Sequence, residues 1–177
     1  MNELAQKISN YNIFNYLFPG IIVCFFLDRF GIYQILGKDI FVNGVVCYFI
    51  GLCVSRVSSL LIEKNLVRIK FIEKRAYKDC VQASKLDDKI ELFSEISNSY
   101  RTLMLALLVI PIAQITKELF GFHPSVWHRE DWIIFGIFIA LSILFLFVHR
   151  KQNNFVVKRI DIALEETKKE SDTKEKK

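Results

Sequence analysis

The chain is poor in the residues that punctuate soluble domains and equip enzymes, with only 3 prolines, 7 glycines, 4 cysteines and 3 histidines among 177 residues. Each scarcity excludes something. Cys24, Cys47, Cys53 and Cys80 include no C-x-x-C pair, and the first three fall in apolar runs, which argues against disulfides and zinc sites. His149 borders an apolar run. His123 and His128 stand near Glu130 and Asp131 at a spacing that matches no recurring metal site, and they read as loop residues. Glycine-rich phosphate loops and nucleophile elbows are missing. So is the pattern of the HEPN ribonucleases, an Arg followed by a spacer of four to six residues and a His. No catalytic residue, cofactor or metal ligand is expected, and the chain reads as non-enzymatic.

What is present is apolar surface: 52% hydrophobic residues, 16 phenylalanines and a mean hydropathy of +0.28, alongside 24 Lys+Arg and 19 Asp+Glu. A soluble chain of this length cannot bury so much apolar surface among so many charges, so the two must be segregated. Four apolar runs emerge, 13–27, 40–62, 103–115 and 132–148. A bilayer core of about 30 Å needs about 17–25 such residues per helix. The second and fourth runs suffice alone. The first is expected to enter at Pro19-Gly20, where proline suits a first helical turn, and to continue past Asp28 and Arg29 towards Leu36, with Asn12 to Phe18 at the interface and Tyr11 and Tyr16 at headgroup depth. The third is interrupted by Pro111 and Gln114, which read as a tolerated kink and a packed amide, with a pore-lining role as the alternative.

The expected fold class is therefore all-α and integral to the membrane: four transmembrane helices with a helical hairpin between spans two and three. The organisation is an interfacial segment and two spans (1–62), the hairpin (63–101), spans three and four (102–150) and a basic tail (151–177). Nine of the 24 cations lie between spans two and three and nine more follow span four. The positive-inside rule then places the loop, the tail and both termini in the cytoplasm. No signal-peptide cleavage pattern follows the first run, since Asp28 and Arg29 stand where small residues belong.

Arg56, inside the second run, is the charge that needs an explanation. One reading is an anchor that snorkels to headgroup phosphates, with Ser55, Ser58 and Ser59 at a helix contact. The other turns Arg56 into the bundle and pairs it with Glu63 or an acid of the loop. Tyr100, Arg101 and Asn98 open the third span at the same depth, so Arg56, Ser55, Ser59, Glu63, Asn98, Tyr100 and Arg101 are expected to form a polar collar at the inner boundary. Asn43 and Gln114 are the candidate polar residues within the spans.

In the loop, Leu66, Ile69, Ile72, Ala76 and Cys80, then Leu86, Ile90, Phe93 and Ile96, follow helical spacing. Ser84 with Asp87 and Asp88 suggests the start of the second arm. This hairpin is too small to fold alone and should pack on its partner helix, the tail or copies of itself. The tail resumes the pattern at Phe155, Val156, Ile160 and Leu164, and EETKKESDTKEKK at its end has the composition of a disordered segment. The net charge of +5 reflects membrane orientation, and no direct nucleic-acid binding is expected because the loop lacks interleaved exposed aromatics.

The string IFNYLFPG at 13–20, FIGLCVSRVSSLLIE at 49–63, the acid-rich KLDDKI at 85–90 and SNSYRT at 97–102 resemble small four-span bacterial membrane proteins of antiphage defence. Similar proteins include the membrane accessories of type VI CRISPR effectors and the membrane component of Kiwa. The resemblance implies a homo-oligomeric inner-membrane protein that senses membrane perturbation or permeabilises the membrane, with a cytoplasmic defence partner engaging residues 63–101. It carries over no functional residue. The alternatives from the residues alone are a passive anchor or scaffold for a cytoplasmic partner, or a small channel subunit; the lipid bilayer is the partner common to all of them.

Overall fold

Backbone amides in an apolar run must be satisfied within their own chain, and here they are satisfied as helices. The structure, a computed structural model, describes residues 13–120 and 129–175, and all regular elements among them are helical. A π-helical turn, Ile13–Leu17, leads into α1, Phe18–Arg29. Helix α2, Ile40–Val57, passes through a second π-helical turn, Ser58–Glu63, into α3, Lys64–Arg68. Then come α4 (Tyr77–Ser84), α5 (Lys89–Leu119) and α6 (Arg129–Glu175). Three stretches are long and apolar enough to cross a membrane: Ile40–Arg68, Lys89–Leu119 and Trp132–Thr167.

Four helical segments lie side by side and alternate in direction. Segments 13–29 and 40–63 cross at two glycines. A Cβ on Gly20 would overlap the Cys47 carbonyl, and one on Gly51 would overlap the Tyr16 carbonyl, so each backbone occupies the space of the other's missing side chain. Helix α5 packs on both, burying Leu105 and Ala106 against Val23, Leu27 and Val54. Helix α6 closes the group with Phe135 and Phe138 against Leu107, Ile110 and Phe30. Pro111 is buried inside α5, where the helix continues through it. The outward faces remain apolar, with Phe41, Phe49, Leu60, Ile133, Ile143 and Phe147 exposed.

Several expectations need correction. The first helix does not run on to Leu36: it stops at Arg29, because Gly31 takes φ 60° and the Ile32 amide returns to the Leu27 carbonyl at 2.9 Å, a left-handed cap with Ile32 and Leu27 packed together. Asn15 and Tyr16, expected at the interface, are buried against the neighbouring helices. Tyr11 lies outside the described residues. The first arm of the expected hairpin is broken, since α3 ends in the same type of cap with Lys70 at φ 57° and the Phe71 amide bonded to the Leu66 carbonyl at 2.9 Å. Ser84 does not open the next helix; its Oγ donates to the Val81 carbonyl at the end of α4, and Asp87 Oδ1 instead accepts from the Lys89 amide where α5 begins.

The basic loop packs on the far end of α6. Ala83 and Ile90 are buried against Val156, Ile160 and Ala163. Two ion pairs, Arg75 with Asp161 and Arg159 with Asp87, clamp the contact, and Asn153 Nδ2 donates to the Glu73 carbonyl at 2.7 Å. Phe155, expected on the packed stripe, is exposed, because the inward face is set by Val156, Ile160 and Ala163. Helix α6 continues to Glu175, into the stretch whose composition suggests disorder; its Glu and Lys residues are good helix formers with i, i+4 pairing available.

Candidate functional site

Where the apolar zone meets the basic end, the helices bury polar residues instead of apolar ones. The inward stripe of the second helix reads Cys47, Gly51, Val54, Ser55, Ser58, Glu63 and Leu66. The step from Ser58 to Glu63 is five residues, one more than an α-turn allows, and the π-helical turn Ser58–Glu63 supplies the extra residue that brings Glu63 inward. There its carboxylate forms ion pairs with Arg101 of α5 and with Lys74. Ser59 Oγ donates to it at 3.3 Å, and Arg101 Nε donates to Ser58 Oγ at 3.3 Å. Arg101 is only 5% exposed, so its charge depends on Glu63 for compensation.

One turn deeper, a neutral network joins three helices. Asn15 Nδ2 donates to Ser55 Oγ at 3.3 Å, and Thr102 Oγ1 lies 3.0 Å from Asn15 Oδ1 and 2.9 Å from the Asn98 carbonyl. On the other side of α5, Ser97 and His149 are buried together: His149 Nδ1 lies 3.0 Å from both Ser97 Oγ and the Ser97 carbonyl. Nε2 of the same ring is buried and has no hydrogen-bond partner among the described residues.

Of these groups, Ser55, Ser59, Glu63, Ser97, Arg101 and His149 line a cavity of about 330 Å³. Its walls include Arg56, Lys74, Arg75 and Arg101 against Glu63 and Glu73, an excess of positive charge, with His149 and Asn98 beside them. Arg56 is exposed and forms no ion pair or hydrogen bond among the described residues. Arg75 is engaged by Asp161, which raises its pKa. Burial, with the adjacent Asp79 carboxylate, pushes the Cys80 thiol up, so it is a poor nucleophile at neutral pH.

The structure brings most of the expected collar together and changes its pairing. Arg56, Ser55, Ser59, Glu63, Asn98 and Arg101 all line the one cavity. Glu63 pairs with Arg101, not with Arg56. Tyr100 points elsewhere, its ring against Phe145 of α6 with centroids 6.1 Å apart. Asn43 and Gln114 do not join this group. Asn43 binds both the amide and the carbonyl of Gly37 in the loop at the opposite end, and Gln114 is buried within α5's packing, 3.4 Å from Glu118. His123 and His128 lie outside the described residues, as do the side chains of Glu130 and Asp131. Among the described residues no group of His, Cys, Asp or Glu could hold a metal ion. Sequence reasoning passed over Asn15, Ser97, Thr102 and the inward aim of His149; the available signal was one polar residue at matching depth in each apolar helix. No protein-family model, curated protein or solved structure matches the chain.

Proposed function

We propose that the protein is a non-enzymatic, multi-pass protein of the bacterial inner membrane that acts as a sensor, with both termini and the basic loop in the cytoplasm. On this reading segment 13–29 is a fourth crossing. Its 5 residues of π-helix and 12 of α-helix reach about 25 Å, short of the roughly 30 Å core but within what local thinning accommodates. The resemblance to membrane components of antiphage systems supports a role in immunity, and the packing of the loop on α6 offers residues 63–101 as the surface a cytoplasmic partner would perturb.

The observation that carries the sensor reading is continuity. Helices α5 and α6 each run without a break from the basic unit into the apolar zone, and both pass the buried Glu63–Arg101 pair and the Ser97–His149 contact at the boundary. A change at the cytoplasmic unit therefore reaches the spans through rigid elements. A pore-forming effector is less well supported, because Asn43, Gln114 and Arg56 occupy three separate environments while the outward faces are apolar.

Liposomes carrying the purified protein test this. They are expected to stay tight to a small entrapped dye. Leakage by a defined oligomer, abolished by Arg56→Ala, would replace the sensor with a permeabilising effector.

A further inference from the structure

We propose that the cavity at the basic end binds a phosphate-bearing anion, gripped by the Arg56 guanidinium and by Nε2 of His149. The inference names a ligand class for the sensor described above and rests on that reading for its biological use, while the binding itself stands on the geometry of the cavity.

Three features point to such a ligand. First, the cations of the wall differ in their commitments. Glu63 engages Arg101 and Lys74, and Asp161 engages Arg75, whereas Arg56 has neither an ion pair nor a hydrogen bond among the described residues. Its planar fork suits two phosphate oxygens at once. Second, His149 is 2% exposed, lines the same cavity, and keeps Nε2 unpartnered among the described residues. When Ser97 Oγ donates to Nδ1, Nε2 carries the ring proton and can donate to an anion; when the ring is doubly protonated, Nδ1–H is taken up by the Ser97 carbonyl and Nε2–H is again a donor. A buried donor without a partner is costly, and an anionic oxygen satisfies it. Third, the size fits. About 330 Å³ lies at the small end of ligand pockets, which span about 300–1,000 Å³, and accommodates a phosphate with a short attached group.

The same chemistry arises from two sources, the headgroup of a phospholipid monoester in the inner leaflet or a water-soluble phosphate ester from the cytoplasm. Dioctanoyl phosphatidic acid and glycerol 3-phosphate represent them. Binding of each to the full chain in maltoside detergent, followed by calorimetry, is expected to be saturable for at least one. Arg56→Gln should weaken that binding at least about tenfold, the loss typical of a charge-assisted contact. Lys64→Gln, which removes the same charge from an exposed site outside the cavity, should leave it unchanged. Binding of the lipid alone identifies a headgroup; comparable binding of both identifies a soluble phosphate ester. The proposal is overturned if neither probe binds, if Arg56→Gln binds as wild type does, or if Lys64→Gln weakens binding as much as Arg56→Gln. His149→Leu should also weaken binding, and an unchanged affinity would remove the histidine from the site. Liposome leakage is a separate readout, so a failed sensor reading and a failed binding site are told apart.

Discussion

Arg101 and Arg56 line the same cavity and face opposite energetic situations. Arg101 is buried and held by Glu63 and Ser58, whereas Arg56 is exposed. Removing one partner of a buried pair strands the other charge, which costs about 3–5 kcal/mol, while an exposed charge without partners costs within about 0.5 kcal/mol. Glu63→Ala is therefore expected to lower the thermal unfolding temperature sharply in detergent, and Arg56→Ala to leave it nearly unchanged. Equal effects would show that the buried Glu63–Arg101 pair does not hold the fold together. In the sequence, both arginines look alike, each a cation beside small polar residues at the edge of an apolar run. Their depth was legible and their pairing was not, because the π-helical turn at Ser58–Glu63 shifts the register by one residue and delivers Glu63 to the inward face.

Among the elements, the contact between 13–29 and 40–63 depends on two missing side chains. Gly20→Ala or Gly51→Ala forces a methyl group into a carbonyl of the neighbouring backbone, which should cost about 1–3 kcal/mol through overpacking. Gly44, with nothing within 4 Å of its Cβ position, should accept alanine without loss. Thermal unfolding of the three variants side by side checks the crossing. The clamp between the loop and α6 makes a second, pH-dependent prediction. At Asp87, burial favours a higher pKa, but the Arg159 hydrogen bond, the Lys89 amide and the charges of both residues outweigh it, and the carboxyl titrates below its ordinary value. Its contribution to stability is therefore fully present above the ordinary aspartate pKa of about 3.9 and disappears as pH falls through the lower folded value. The unfolding temperatures of wild type and Asp87→Asn should differ at neutral pH, differ less at high salt, and converge in strong acid. Convergence at neutral pH would mean that the clamp contributes nothing. The helix break after Arg68 escaped the periodicity because Ile69 and Ile72 keep helical spacing across it; only the left-handed backbone of Lys70, a conformation that this residue type rarely signals, ends the helix.

For the whole molecule, charge segregation was the most legible property. The basic loop and the basic tail do pack together at one end, and Lys117 donates to the Gly31 carbonyl at the other. The four-crossing reading makes a topological prediction: reporter domains fused at either terminus, or inserted near residue 80, should be active only in the cytoplasm, and one inserted at 121–128 only outside. An N-terminal reporter active outside, with the C-terminal one active in the cytoplasm, would leave three crossings and remove segment 13–29 from the spans. The fit between loop and tail was harder to read in the sequence, because each presents a short apolar stripe that could equally have packed on another copy of itself; the deciding contacts, Arg75 with Asp161 and Arg159 with Asp87, join residues far apart in the chain.

The glycine crossing also bears on how the chain is made. On the four-crossing reading, segment 13–29 is at the lower limit of what partitions into a bilayer alone, and its close fit to the second helix comes from a segment synthesised later. Its stable integration should therefore wait for residues 40–63 to emerge, so that the two enter as a hairpin. Nascent chains halted before Ile40 is exposed would leave the first segment extractable by carbonate, and chains halted after Glu63 would hold it fast.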